Sequence, residues 1–151
     1  MATVPDPEIP VLSVLDLGVV RSVEYSASVG LCVAITPTYS GCPATTVIRE
    51  QISAALRGAG FESVSVHEVL SPAWTTDWMS DEGRRKLHAY GVVPPPDRRG
   101  RQMGRFDGAL PACPRCDARS TERLSEFGST PCKALYRCTS CLEPFEQFKC
   151  I

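Results

Sequence analysis

Residues 113–141 read CPRCDARSTERLSEFGSTPCKALYRCTSC, a stretch bracketed by two Cys-x-x-Cys knuckles, Cys113-Pro114-Arg115-Cys116 and Cys138-Thr139-Ser140-Cys141. Each knuckle turns two thiolates towards one tetrahedral ion, and a hairpin between them returns the second pair to complete the shell. The intervening 21 residues, 117–137, lie just beyond the usual spacing for such pairs. Size argues for metal as well. About forty residues bury too little apolar surface to fold alone, whereas a structural zinc contributes roughly 10–16 kcal/mol in small finger peptides. Four thiolates suit zinc, but the same ligands hold iron-sulfur clusters, and spacing does not separate the two. Cys132 and Cys150 are second-choice ligands; packing beside Leu135, Tyr136, Phe145 and Phe148 is their competing role.

Outward from this stretch the composition changes. Residues 1–91 hold only Cys32 and Cys42 of the eight cysteines, whereas residues 92–111 (VVPPPDRRGRQMGRFDGALP) carry four prolines, three glycines and four arginines. We therefore expect an N-terminal domain over 1–91, a linker over 92–111 and a metal ribbon over 112–151. A net charge of -1 and a pI near 6.1 give no global attraction to nucleic acid or membrane. The N-terminus shows no basic start followed by an apolar run, and the uncharged stretch from Tyr25 to Ile48 is broken by Pro37, Gly41 and Pro43. Neither a signal peptide nor a membrane span is expected, and paired knuckles in a reduced compartment place the protein in the cytoplasm.

In the N-terminal part, Val19-Arg21-Val23-Tyr25 and Leu31-Val33-Ile35 alternate on either side of a Ser/Gly turn, which predicts a hairpin. Cys42-Pro43 opens a helix whose apolar stripe is Ala44, Val47, Ile48, Ile52, Ala55, Leu56 and Ala59, with Gly58 and Gly60 at its end. Ser63 to Leu70 predicts a third strand with Val64, Val66, Val69 and Leu70 inside. A short helix with Asp81 and Glu82 early and Arg84, Arg85 and Lys86 late follows, stopped by Gly91. Thr121–Phe127, Ala134–Arg137 and Pro144–Lys149 are the expected ribbon strands. The fold class is α+β: a small α/β sandwich, one helix across about three strands, followed by a zinc-ribbon tail.

Cys42 is the thiol of most chemical interest. At a helix start it meets unpaired N–H groups and the positive end of the dipole, a setting that lowers a thiol pKa from about 8.5 into a range of roughly 3.5–7.5. It is expected to be the most readily alkylated thiol, with Cys32 buried in the core. Asp6, Glu8 and Asp16, with Thr38 and Ser40, either form an acidic site beside Cys42 or, for the aspartates, cap turns through local backbone bonds. His67 and His88 show no Cys or carboxylate at metal spacing and read as surface residues. Trp74 and Trp78 would share one face of a helix, as core or as a docking anchor. The Arg98-Arg99-Gly100-Arg101 run with Arg105 reads as solvated linker charge rather than a nucleic-acid contact.

DPEIPVLSVLDLGVV, PTYSGCP and PAWTTDWMSDEGRRKL together resemble the small α/β family of iron-sulfur cluster assembly proteins. The tail SEFGSTPCKALYRCTSCLEPFEQFKC narrows the match: it is similar to the zinc-ribbon extension of the phenylacetate-degradation D-protein family, accessory components of the phenylacetyl-CoA epoxidase system. That resemblance implies a non-catalytic component beside a di-iron oxygenase and its flavin and iron-sulfur reductase. The family is thought to mature or insert a metal centre, with the reductase's cluster foremost, and Cys42 occupies the Cys-Pro position associated with transient cluster or metal handling. Only the first few residues precede DPEIP where the family carries a longer segment, which points to a missing N-terminal helix or a different start. The rival classes are a thiol-disulfide enzyme and a nucleic-acid- or protein-binding ribbon adaptor. Two knuckles that consume each other's thiols in metal weaken the first, and the lack of an overall basic balance weakens the second. No Ser-His-Asp set, phosphate loop or dinucleotide motif marks an independent enzyme.

Overall fold

The computed structural model describes residues 1–96 and 110–150. The chain divides within a helix, at Gly83/Arg84, into two units.

In the first unit β1 (Val20–Ser26) and β2 (Gly30–Ile35) form the expected antiparallel hairpin, with Val23 opposite Val33 and Tyr25 opposite Leu31. β3 (Val64–Glu68) pairs parallel to β2 on its other side, giving the order β1-β2-β3. A parallel pair needs a crossover, and α1 (Ala44–Gly58) supplies it, packed against β3. Pro43, already at a helical φ of -64°, is the N-cap of α1; Ala44, Thr45, Ile48, Ile52 and Leu56 are its buried stripe. The helix ends where Gly60 takes φ +96° and Phe61 N–H bonds back to the Leu56 carbonyl. The sequence stripe overreaches at its edges, since Val47 is exposed. The same holds on the sheet. Val23, Tyr25 and Leu70 are exposed: β1 is an edge strand away from α1, and Leu70 lies past the end of β3.

The Pro-rich entry is core rather than preamble. Val4, Ile9, Leu12, Val14, Leu17 and Val19 are all buried, and backbone bonds from Asp6 N to Leu12 O and from Val14 N to Val4 O close the segment on itself. Two buried carboxylates hold it. Asp6 Oδ1 accepts from Glu8 N at 2.9 Å and Ile9 N at 2.7 Å, and Asp16 Oδ2 accepts from Ser13 N at 2.9 Å and Ser13 Oγ at 2.8 Å. Asp16 also receives Ser80 Oγ at 3.3 Å, while Ser80 Oγ caps α2 (Asp81–Ala89) by accepting from Gly83 N at 2.9 Å. Trp74 and Trp78 do not share a helix face: Trp74 lies outside helical structure, buried, with its Nε1 donating to Leu17 O at 2.9 Å, and Trp78 ends a single 3-10 turn, Thr76–Trp78. The Arg21 guanidinium sits 3.4 Å over the Trp78 ring.

In the second unit a four-stranded sheet runs β4 (Val92–Val93), β7 (Pro144–Phe148), β6 (Lys133–Cys138) and β5 (Thr121–Ser125). The three ribbon strands lie where their patterns predict. Val92–Val93, assigned to the linker by composition, instead pairs parallel with Glu146 and Gln147 of β7; a two-residue strand is too short to show periodicity. Residues 97–109 of the expected linker, including the RRGR run and Arg105, lie outside the described residues. Cys113, Ala134, Tyr136, Cys138 and Phe145 form the core, with Tyr136 and Phe145 stacked at 5.7 Å and Val93 and Ala118 at its margin. Lys133 is 5% exposed and bonds Glu146 Oε2 at 2.8 Å, and Glu146 also accepts from Ser129 N and Ser129 Oγ. Burial by itself raises the Glu146 pKa, but the hydrogen bonds from Lys133 and Ser129 and the Lys133 charge outweigh it and hold the carboxyl below its usual range.

Gly18 has φ +68°, and a Cβ there would lie 2.2 Å from the Trp78 carbonyl oxygen. Gly18→Ala should therefore destabilise the first unit by about 2 kcal/mol or more. Both tryptophans lie in that unit, so their emission during urea unfolding reports it alone; an unchanged midpoint would show that the Trp78 backbone gives way freely. Glu146→Gln should cost the ribbon about 3 kcal/mol at neutral pH by stranding Lys133. Because the folded-state pKa is lowered, the carboxylate's contribution is complete above the free-carboxylate range and fades as pH falls through the folded value. The stability gap between wild type and Glu146→Gln, followed by ribbon melting, should therefore shrink on acidification; a constant gap would refute the assignment.

Candidate metal centre

Each knuckle is built by the same backbone device. Cys113 N donates to Ala118 O at 2.9 Å and Cys138 N donates to Glu143 O at 2.9 Å, an i to i+5 bond in both cases. The residue after each second cysteine is left-handed, Asp117 at φ 58° and Leu142 at φ 63°. Non-glycine residues seldom adopt that conformation, so its recurrence at matched positions marks two copies of one turn. The first knuckle precedes β5, and the second starts at the last residue of β6 and runs into the turn before β7. The antiparallel pairing of β5 with β6 places Thr121 opposite Cys138 and so brings the knuckles together. Thr139 N and Oγ1 both donate to Ser120 O, and Arg115 Nη1 bonds Glu143 Oε2 at 2.7 Å across the two turns.

The four sulfurs lie within 4.8 Å of one another. The shortest separations run between knuckles: Cys113 to Cys141 at 3.7 Å and Cys116 to Cys138 at 3.6 Å. Four thiolates about 2.3 Å from a tetrahedral ion stand about 3.8 Å apart, so the observed spacing fits a single ion closely. Disulfide bonds, at about 2.05 Å, are not formed. Cys113 and Cys138 are fully buried while Cys116 and Cys141 are exposed, so one edge of the group faces solvent.

Protonation also points to a cation. The Cys138 thiol is lowered to about 6, chiefly because the backbone N–H of Cys141, joined by that of Ser140, donates to its sulfur, both at 3.4 Å. Cys116 goes the other way: an Ala118 backbone bond lowers it, but hydrogen bonds with Cys141, Cys138 and Cys113 and burial push it up to about 12. Cys116 thus holds its proton through these contacts, and a divalent ion bound by the group would stabilise its thiolate form and release that proton.

The other sequence candidates fall elsewhere. Cys132 is buried with its sulfur 3.0 Å from Thr130 Oγ1, and neither it nor the half-buried Cys150 belongs to the four-sulfur group. Cys42 is half-buried one residue before the Pro43 N-cap, its carbonyl accepting from Thr45 N at 3.1 Å. Asp6 and Asp16 are engaged in the turns described above. Two readings need correction: Cys32 is half-buried rather than fully internal, and its sulfur lies 3.4 Å from His67 Nδ1. Sequence spacing could not show this, because the two residues are 35 positions apart and meet only through the β2–β3 register. His88 is exposed in the last turn of α2.

With this geometry in place, comparison with known proteins gives a consistent result. Residues 1–67 match the model for "Iron-sulfur cluster assembly protein" and residues 100–149 the model for "PaaD zinc beta ribbon domain". A curated Escherichia coli K12 protein, described as the putative D component of 1,2-phenylacetyl-CoA epoxidase, is 49% identical over all 151 residues, covering 100% of this chain and 89% of its own length. A Porphyromonas gingivalis "Fe-S protein maturation auxiliary factor" is 35% identical over 88 residues, covering 58% of this chain and 83% of its own. A solved DUF59 domain from Bacillus anthracis shares 23% identity at a TM-score of 0.48, covering 57% of this chain and 82% of that one. Matched along its whole length and in both halves, the chain belongs to the PaaD family of phenylacetyl-CoA epoxidase components, in which an iron-sulfur-assembly domain is joined to a zinc ribbon.

Proposed function

We infer that this protein is an accessory, non-catalytic component of the phenylacetyl-CoA epoxidase system that helps mature a metal centre, foremost the iron-sulfur cluster of the reductase. The observation that carries the reading is full-length 49% identity to the Escherichia coli epoxidase component, combined with an assembly-type domain over residues 1–67. In this reading the ribbon holds zinc through Cys113, Cys116, Cys138 and Cys141. A closed four-thiolate zinc site is structural: it has no redox change and no open coordination position, and it supplies folding energy to a small domain. In a cluster the thiolates are shared among several irons and the pairs stand well apart, so four sulfurs all within 4.8 Å of one another favour a single ion. The same convergence speaks against a thiol-disulfide role, since each knuckle thiol is drawn to the opposite knuckle rather than to its own partner. The resemblance gives the transient handling of metal or cluster to Cys42, at the Cys-Pro start of α1.

Purified protein should carry one zinc per chain, and chelation should unfold the ribbon sheet while the tryptophan emission of the first unit stays native. Absence of stoichiometric zinc would remove the ribbon assignment. Reductase isolated from cells lacking this protein should be severalfold depleted in cluster; full cluster content with a working epoxidase would disprove the maturation role. Cys42→Ser keeps the size of the side chain but removes a soft ligand. It should retain fold and ribbon zinc yet fail to restore reductase cluster content, and full restoration would reduce Cys42 to a packing residue.

A further inference from the structure

We propose that Cys32, His67 and Glu24 make a second, labile cation site on the open face of the three-stranded sheet, taking one divalent ion of borderline softness such as zinc. The argument begins with strand register. β2 pairs with β3 so that Cys32 aligns with Ser65 and Ala34 with His67, which puts Cys32 and His67 on one face, diagonal to each other. Their donor atoms, Cys32 Sγ and His67 Nδ1, are 3.4 Å apart. A tetrahedral ion with a sulfur at about 2.3 Å and a nitrogen at about 2.0–2.1 Å separates the two by about 3.6 Å. The pair is therefore already close to a ligating edge, with both residues accessible from solvent.

Glu24 supplies the third donor. It stands directly opposite Cys32 in the β1–β2 ladder and so shares its face, with an exposed side chain. Directly opposed Cβ atoms lie about 4.5–5.5 Å apart, within reach of a carboxylate that turns about its own side-chain bonds. Among the described residues only the ribbon cysteines form a ready group of three or more ligand atoms, so Glu24 must make that turn. The resulting set is one thiolate, one imidazole and one carboxylate from three different strands, with a fourth position open to water. It differs from the ribbon in each respect that governs exchange: one thiolate instead of four, solvent access, and a ligand that has to move. Such a site loads and releases its ion, whereas the ribbon retains one.

The test uses full-length protein with its ribbon loaded with zinc, titrated with cobalt(II) alone and followed by thiolate-to-cobalt absorption, with retained zinc assayed at the end point. One further equivalent should bind with the band of a single thiolate while the ribbon zinc stays in place. Cys32→Ser should abolish that band, and His67→Ala and Glu24→Gln should each weaken binding about tenfold or more. Unaltered ribbon zinc and circular dichroism establish that each variant is folded. The proposal is overturned if no second equivalent binds, if Cys32→Ser keeps the band, or if neither His67→Ala nor Glu24→Gln weakens it.

Discussion

The ribbon unit depends on bringing four thiols within 4.8 Å of one another. Four thiolates held that close repel one another unless a cation neutralises them. The unit has a small apolar cluster, two of whose five buried members are themselves knuckle cysteines. Core and metal site are thus one object: Cys113 and Cys138 point inward beside Tyr136 and Phe145, while Cys116 and Cys141 close the shell from outside. The buried Lys133–Glu146 pair fastens β6 to β7 on the side away from the knuckles, where no metal can help.

The first unit solves a different problem. Val4, Ile9, Leu12, Val14, Leu17 and Val19 of its N-terminal segment are buried, although that segment contains no helix or strand of its own. Buried Asp6 and Asp16 make this possible. Each supplies side-chain acceptors for backbone N–H groups that a ladder would otherwise satisfy, those of Glu8, Ile9 and Ser13. Asp6 and Asp16, two of the acidic residues that the sequence offers as a candidate site, hold turns in this way.

The cysteines sort by environment. Four converge on one another; Cys132 is internal beside a threonine hydroxyl; Cys42 lies just before a helix; Cys32 faces a histidine across a strand boundary. A thiol's chemistry follows from what its sulfur meets, and the same residue type serves as structural ligand, packing group and adjustable donor within one chain.

Local pattern carried much of this. The knuckle spacing, the hairpin, the apolar stripe of α1, the third strand and the ribbon strands are all legible because each is encoded by neighbours a few positions apart, through a turn, a period of two or a period near 3.6. The family match rests on equally local strings such as DPEIP and CTSC. The features that escaped the sequence are those set by partners distant along the chain. Val92–Val93 is a strand only because β7 offers an edge, the Pro-rich entry is core only because two aspartates fold it down, and Val23 and Tyr25 are exposed only because α1 lies over β3. The 3.4 Å approach of Cys32 to His67 belongs to the same class: strand register alone fixes it, and register is decided by the packing of the whole sheet.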